Sequence, residues 1–144
     1  MQEEIRCAVE SGDHIRLRAL AAASTPEYLA AADGFGRTLL ATASYFGHAA
    51  AVRVLIDFGA DVNRPNRDGW TPLNIACCNG FPELVRILIE AGADPSKTNT
   101  YGNRDALGIA LAYDQPAVVR TLEQTPRPKP SRLLIALRRR ARKQ

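Results

Sequence analysis

The 144 residues include two histidines, three cysteines, one methionine and one tryptophan, a thin supply of the groups that most often carry chemistry. His14 and His48 lie far apart with no paired spacing, so no tetrahedral metal set is expected. Cys7, Cys77 and Cys78 cannot form a complete disulfide set. The adjacent pair has poor geometry for bridging itself, which suits a reducing compartment. Long apolar runs are also missing. Stretches such as Leu133 to Leu137 fall far short of the roughly 18–20 residues that span a bilayer. The opening Gln2, Glu3 and Glu4 lack the basic start and apolar stretch of a secretory signal, so an intracellular, soluble chain is expected. No nucleophile motif, phosphate-cradling loop or paired-carboxylate arrangement is present. The expectation is therefore no enzymatic activity, no cofactor, no metal and no small-molecule substrate.

What is present has an ordinary globular balance, 46% hydrophobic and 24% charged, over a length that favours one domain. The net charge of +4 suggests an anionic partner until its distribution is read. From Pro126 to Gln144 there are eight cations and no acid, whereas residues 1–125 hold 11 cations against 15 acids. Two charge regimes share one chain.

Within residues 1–125 the sequence repeats. Asp33 to Arg64 and Asn66 to Lys97 superimpose without gaps at an offset of 33, pairing Gly36 with Gly69, Thr38 with Thr71, Gly47 with Gly80 and Leu55 with Leu88. A third copy follows at an offset of 34, so its extra residue belongs to the loop around Asn99 to Asn103. An earlier, degenerate copy leads at an offset of 35, with Ala8, Gly12 and Leu20 ahead of Ala43, Gly47 and Leu55. Units of about 3–32, 33–65, 66–98 and 99–125 result, followed by a proline-rich linker and basic tail over 126–144.

Each unit reads as a helical hairpin. Thr71 is an N-cap with Pro72 at the first helical position, and the helix runs to about Asn79. Gly80 turns the chain, and Pro82 opens a second helix with an apolar stripe of Leu84, Val85, Leu88 and Ile89. Gly92 ends it with a positive φ. His48, in a Gly-His turn, reads as a helix starter. Cys77 aligns with Ser44 at a small, packed position, and Cys78 should face outward. Asp61 and Asp94 are loop carboxylates suited to nearby backbone amides. One hairpin cannot bury its own apolar face, so stacking is obligatory.

The T-P-L-x-x-A, G-x-x-x-L-V-x-x-L-I and G-A-D pattern resembles the ankyrin repeat family, closely in residues 66–97 and well in 33–64. Leu39 replaces the family's proline, Ala41, Asn74 and Gly108 its histidine, and Asp114 its usual glycine. The resemblance implies an all-α solenoid of helix-turn-helix units with β-turn loops, a monomer, and recognition of another protein across a concave face. Carried over by position, that face takes Phe35, Arg37, Tyr45 and Phe46 from the second unit. The third gives Arg67, Asp68, Trp70, Cys78 and Asn79, and the fourth Tyr101, Arg104 and Tyr113. Six of the nine aromatics fall in this set. Exposed Trp, Tyr and Arg are enriched at binding hot spots. Trp70 is the expected centre of an aromatic surface, flanked by Arg37 and Arg104. Leu55, Asp61, Val62 and Asn63 also resemble the family's context for asparagine hydroxylation, which makes Asn63 a modification candidate beside its reading as a turn residue.

In the tail, Pro126, Pro128 and Pro130 make a stiff linker. Ser131 can cap a short helix with Leu133, Leu134, Leu137 and Ala141 on one face. Arg132, Arg138, Arg139, Arg140, Arg142 and Lys143 give it targeting or anion-binding character. Three readings stand open: contact with import machinery or nucleic acid, contact with an anionic membrane surface, and docking of the leucine face on the last unit. The resulting expectation is a protein-binding adaptor with a targeting tail. The alternative is a nucleic-acid- or chromatin-associated factor whose tail contacts phosphates while the repeats recruit a partner.

Overall fold

The computed structural model describes residues 1–126, so the basic tail with its predicted helix lies outside the described residues. The elements are α1 (Gln2–Ser11), α2 (His14–Ala22), α3 (Pro26–Leu29), α4 (Leu39–Phe46), α5 (Ala49–Asp57), α6 (Pro72–Asn79), α7 (Pro82–Glu90), α8 (Ala106–Ala112) and α9 (Pro116–Gln124). Hairpins α1–α2, α4–α5, α6–α7 and α8–α9 stack in chain order. First helices contact first helices (α1, α4, α6, α8), and second helices contact second helices (α2, α5, α7, α9). Among the described residues the extended structure amounts to a single bridge, Ala32 to Thr38.

Local chemistry sets each hairpin. The Thr38 and Thr71 hydroxyls accept the Ala41 and Asn74 amides at 3.1 and 3.2 Å, and the Asp105 carboxylate accepts Gly108 N–H at 2.9 Å. Asp105 thus caps α8 where the two middle units use threonine. Pro72, Pro82 and Pro116 occupy first-turn positions, where a missing N–H costs nothing. Ala8, Ala43, Ala76 and Ala110 recur at one register and are all buried, which lets neighbouring first helices approach closely. Leu17, Val52, Val85, Leu55, Leu88 and Leu84 fill the space between the helix layers.

The turn between paired helices needs a left-handed residue. Gly12, Gly47 and Gly80 supply it, and Asp114 occupies the same place in the last hairpin with φ 52°. At Gly47 a second constraint applies, because a Cβ there would lie 2.7 Å from the Phe81 ring of the following hairpin.

The same turns hold an inter-unit hydrogen bond. The last carbonyls of a helix have no intrahelical donor. His48 Nε2 bonds the Glu10 carbonyl at 2.9 Å, Asn79 Nδ2 donates to Tyr45 at 3.0 Å, and Gln115 Nε2 donates to Cys78 at 3.1 Å. Glu10, Tyr45 and Cys78 each precede the turn residue by two, so equivalent helix ends are satisfied by the next unit. His48 therefore stands at the start of α5, but its ring serves α1 of the preceding hairpin and makes no cap bond.

The loops link units on the other side. Asn63 Nδ2 donates to the Gly92 carbonyl at 3.1 Å while its Oδ1 accepts Asp94 N–H at 2.7 Å. Arg64 Nη1 reaches back to the Ala30 carbonyl at 2.7 Å. Asp61 and Asp94 accept the amides of Asn63 and Ser96, both at 2.9 Å. Asn63 thus has a structural reason to be asparagine, since it gives and takes one bond across a unit boundary.

Gly47→Ala should lower stability by roughly 1–3 kcal/mol, combining backbone strain with the clash on Phe81. Chemical denaturation of the two proteins checks the value.

Candidate functional site

Three loops project beside the first helices, each closed by a side chain at equivalent positions. Asp33 Oδ1 accepts the amides of Phe35 and Arg37, both at 2.9 Å. Asn66 Oδ1 accepts those of Asp68 and Trp70 at 3.0 and 2.9 Å. Asn99 Oδ1 accepts Arg104 N–H at 3.4 Å. In the third loop the closing main-chain bond spans Asn99 to Arg104, one residue more than Asn66 to Trp70. Asn103, at φ 50°, takes up that extra residue. The loops are tied to one another as well. Arg67 N–H donates to the Phe35 carbonyl at 3.2 Å, and the Thr100 hydroxyl donates to Asp68 at 2.7 Å.

Between this row and the first helices lies a groove of about 460 Å³. Its walls include Arg6 and Glu10 from α1, Thr42, Tyr45 and Phe46 from α4, and Ile75, Cys78 and Asn79 from α6. Tyr113, just after α8, and Asp33, Arg37, Asn66, Asp68 and Trp70 from the loops complete it. A second hollow shares Arg6, Glu10, Asp33, Arg37 and Thr42 with the first, which extends the concave surface toward the N-terminal hairpin. Tyr45 and Phe46 meet edge to face at 5.3 Å, and Phe46 stacks on His48 at 6.0 Å.

Of the expected face residues, Arg37, Tyr45, Phe46, Asp68, Trp70, Asn79 and Tyr113 converge on this groove, together with Cys78. Phe35, Arg67, Tyr101 and Arg104 stand outside it. Phe35 and Tyr101 are exposed on the loops, and Arg37 also lies over the Phe35 ring at 5.2 Å. Two expectations change. Trp70 is half-buried and packs on the core, so it forms part of the groove's lining and does not project as the centre of an exposed patch. Arg104, which follows the inserted Asn103, is not among the residues that line the groove with it. Arg6 and Glu10 were missed. Extending the offset of 35 from Ala41 and Tyr45 leads straight to them.

The polar chemistry is mostly internal. Arg37 Nε donates to Asp33 Oδ2 at 2.8 Å, with Arg37 half exposed and Asp33 largely covered. Burial of the Asp33 carboxyl pushes its pKa up, but the bonds from Arg37 and Phe35 together outweigh this and hold it below its ordinary value. Burial pushes the Cys77 thiol up to about 12, reinforced by Cys78 and Asp105. Cys78 is raised as well, by burial, against a hydrogen bond from Tyr113 that lowers it. Among the described residues no group of three or more His, Cys, Asp or Glu is placed to hold a metal ion. Nor is any described helix long and apolar enough to cross a membrane.

Stacked hairpins, threonine caps and loops closed over a concave face agree with a family model for ankyrin repeats in three copies, which matches residues 5–99. The chain belongs to the ankyrin repeat family. Human protein phosphatase 1 regulatory subunit 27 is 39% identical over 68 residues, covering 47% of this chain and 44% of that protein. The Notch-regulated ankyrin repeat-containing protein of Xenopus tropicalis is 41% identical over 49 residues, 34% of this chain and 43% of that protein. Mouse ankyrin repeat domain-containing protein 13B is 52% identical over 44 residues, 31% of this chain and 7% of that protein. The matches span less than half the length of each relative. This ankyrin stack departs from the T-P-L-H pattern at Asn74. Its buried amide reaches the Lys97 carbonyl at 3.4 Å, while its own side-chain oxygen lacks a hydrogen-bond partner.

Asp33→Asn should keep the loop, since Asn66 closes its own loop with an amide, but lose the Arg37 pair at a cost of about 0.2–1 kcal/mol near neutral pH. A lowered folded-state pKa stabilises above the unfolded value, about 4, and that contribution disappears as pH falls through the folded one. The gap between wild type and Asp33→Asn should therefore close on acidification, which melts recorded from neutral pH to about pH 2 would show. Thiol titration gives a second check. Cys7 is exposed and should react in the native protein, whereas Cys77 should react only on unfolding.

Proposed function

We propose that this chain is a non-catalytic protein-binding module, an adaptor that takes its partner in the groove between the loops and the first helices. The observation that carries this reading is the groove itself, in which aromatic side chains from three successive units share one concave surface. Tyr45 and Tyr113 are about half exposed or more, 60% and 49%, and neither is held in the core cluster. Large amphipathic side chains of this kind bind at low entropic cost because few torsions must be fixed. Trp70 offers a rigid surface beneath them, and Arg37 is pre-oriented by Asp33. Pre-organisation of this sort reduces the ordering cost of association. The relatives support the class of activity: one is named as a regulatory subunit of a protein phosphatase and another as Notch-regulated. The partner of this chain is its own question, because repeat frameworks outlast changes in their binding surfaces.

The second reading, in which the tail contacts nucleic-acid phosphates and the repeats recruit a partner, is favoured by the charge partition. Eight cations without an acid follow a body that is net acidic. Retention on DNA or RNA would then fall steeply with salt as counterions are released.

The adaptor reading predicts that Tyr45→Ala/Tyr113→Ala melts close to wild type yet loses about tenfold or more in affinity for a captured partner. Trp70→Ala should lose both binding and stability, by about 1–3 kcal/mol in the latter, because the indole also packs on the core. Capture from lysate with wild type and variants side by side, followed by titration of the protein lost, is the measurement. Equal retention by the double variant would overturn the groove as the binding surface.

A further inference from the structure

Among the described residues the last hairpin is built like an inner one but lacks the neighbour that covers inner ones. Leu107 takes the place of Leu40 and Leu73, which are 1% and 0% exposed, yet it is 38% exposed itself. Leu111 takes the place of Ser44 and Cys77, both 0% exposed, and is 62% exposed. On the paired helix, Val119 and Leu122 correspond to Val85 and Leu88, which are fully buried, but are only partly covered. Helix α9 buries Val118 alone, whereas α7 buries Leu84, Val85, Ile87, Leu88 and Ile89. Repeat arrays that end in water require a polar outer face. This face has instead kept core residues at core positions.

The described chain leaves this same end at Pro126, two residues after α9, and residues 127–144 follow it. Their sequence holds Leu133, Leu134 and Leu137 among eight cations and no acid. Leu133 lies seven residue steps beyond Pro126. At roughly 3.3 Å each they reach about 23 Å, enough to turn back across a helix about 10 Å wide. The body they return to is net acidic, with Asp114 and Glu123 exposed on this last hairpin. We propose that the segment from Ser131 to Arg142 covers the open end of the stack, its leucines on Leu107, Leu111, Val119 and Leu122 and its cations left in solvent. The segment then acts in place of a fifth unit. This surface is distinct from the concave groove, so the proposal stands or falls apart from the adaptor reading.

The test uses the full chain and Leu111→Lys, which keeps helix propensity and places a cation near a helix C-terminus, where it is favoured. A covered leucine predicts a melting temperature lowered by about 3–6 °C. Leu133→Lys/Leu137→Lys should lower it by a similar amount, and combining all three changes should add little more, because both sets break one contact. A melt unmoved by Leu111→Lys would mean the end is bare and would overturn the proposal. So would a loss on Leu111→Lys that the tail variant does not share. In that second case, a wild-type melt rising with protein concentration identifies a second copy as the cover.

Discussion

A short helix cannot satisfy its own C-terminal carbonyls, and the whole stack is organised around that deficit. The carbonyls of Glu10, Tyr45 and Cys78 are each bonded by a side chain of the following hairpin. A hairpin without its neighbour would have these groups to hydrate and its alanine stripe to expose. Burial between units is therefore both apolar and polar, and the hydrogen bonds set the register that the apolar surfaces alone would leave loose. Stability is shared between packing within each hairpin and packing between neighbours, as expected of a one-dimensional array.

The groove inherits its geometry from this scaffold. The helix ends fixed by His48, Asn79 and Gln115 carry Glu10, Tyr45, Phe46 and Cys78 along one wall, and Tyr113 follows just after α8. The loops opposite are held by Asp33, Asn66 and Asn99, and joined by main-chain bonds from Arg67 and Thr100. Asn79 belongs to both systems, because it lines the groove and caps the previous helix. A surface so constrained is suited to recognition without rearrangement, which limits what association costs.

The helices were legible in the sequence because their signals are local. Thr71 with Pro72, the turn at Gly80 and the stripe on α7 each announce themselves within a few residues. The exposure of a loop residue is not local. Trp70 sits where the pattern places a projecting side chain, yet its indole packs on the adjacent core. Arg6 and Glu10 were hidden because the first hairpin lacks the turn motif by which the other units are recognised. The carbonyl bonds were the least legible feature. Histidine and glutamine make them from equivalent positions, but Phe81 in that place cannot donate, and Asn79 two residues earlier takes over. Three residue types at two positions perform one task, and no pattern match would group them.

The contact between each turn and the next hairpin bears on how such chains can be recombined. Gly12 faces the His48 ring, Gly47 the Phe81 ring and Gly80 the Gln115 amide, with no room for a Cβ between them. The natural cassette for grafting therefore does not coincide with the sequence repeat. It begins at one turn and includes the residue that fits against it about 35 positions later. The spans 12–48, 47–81 and 80–115 overlap, so any cut inside them parts one turn from its partner, and a graft keeps the fit only if the residue across the joint matches the donor's turn.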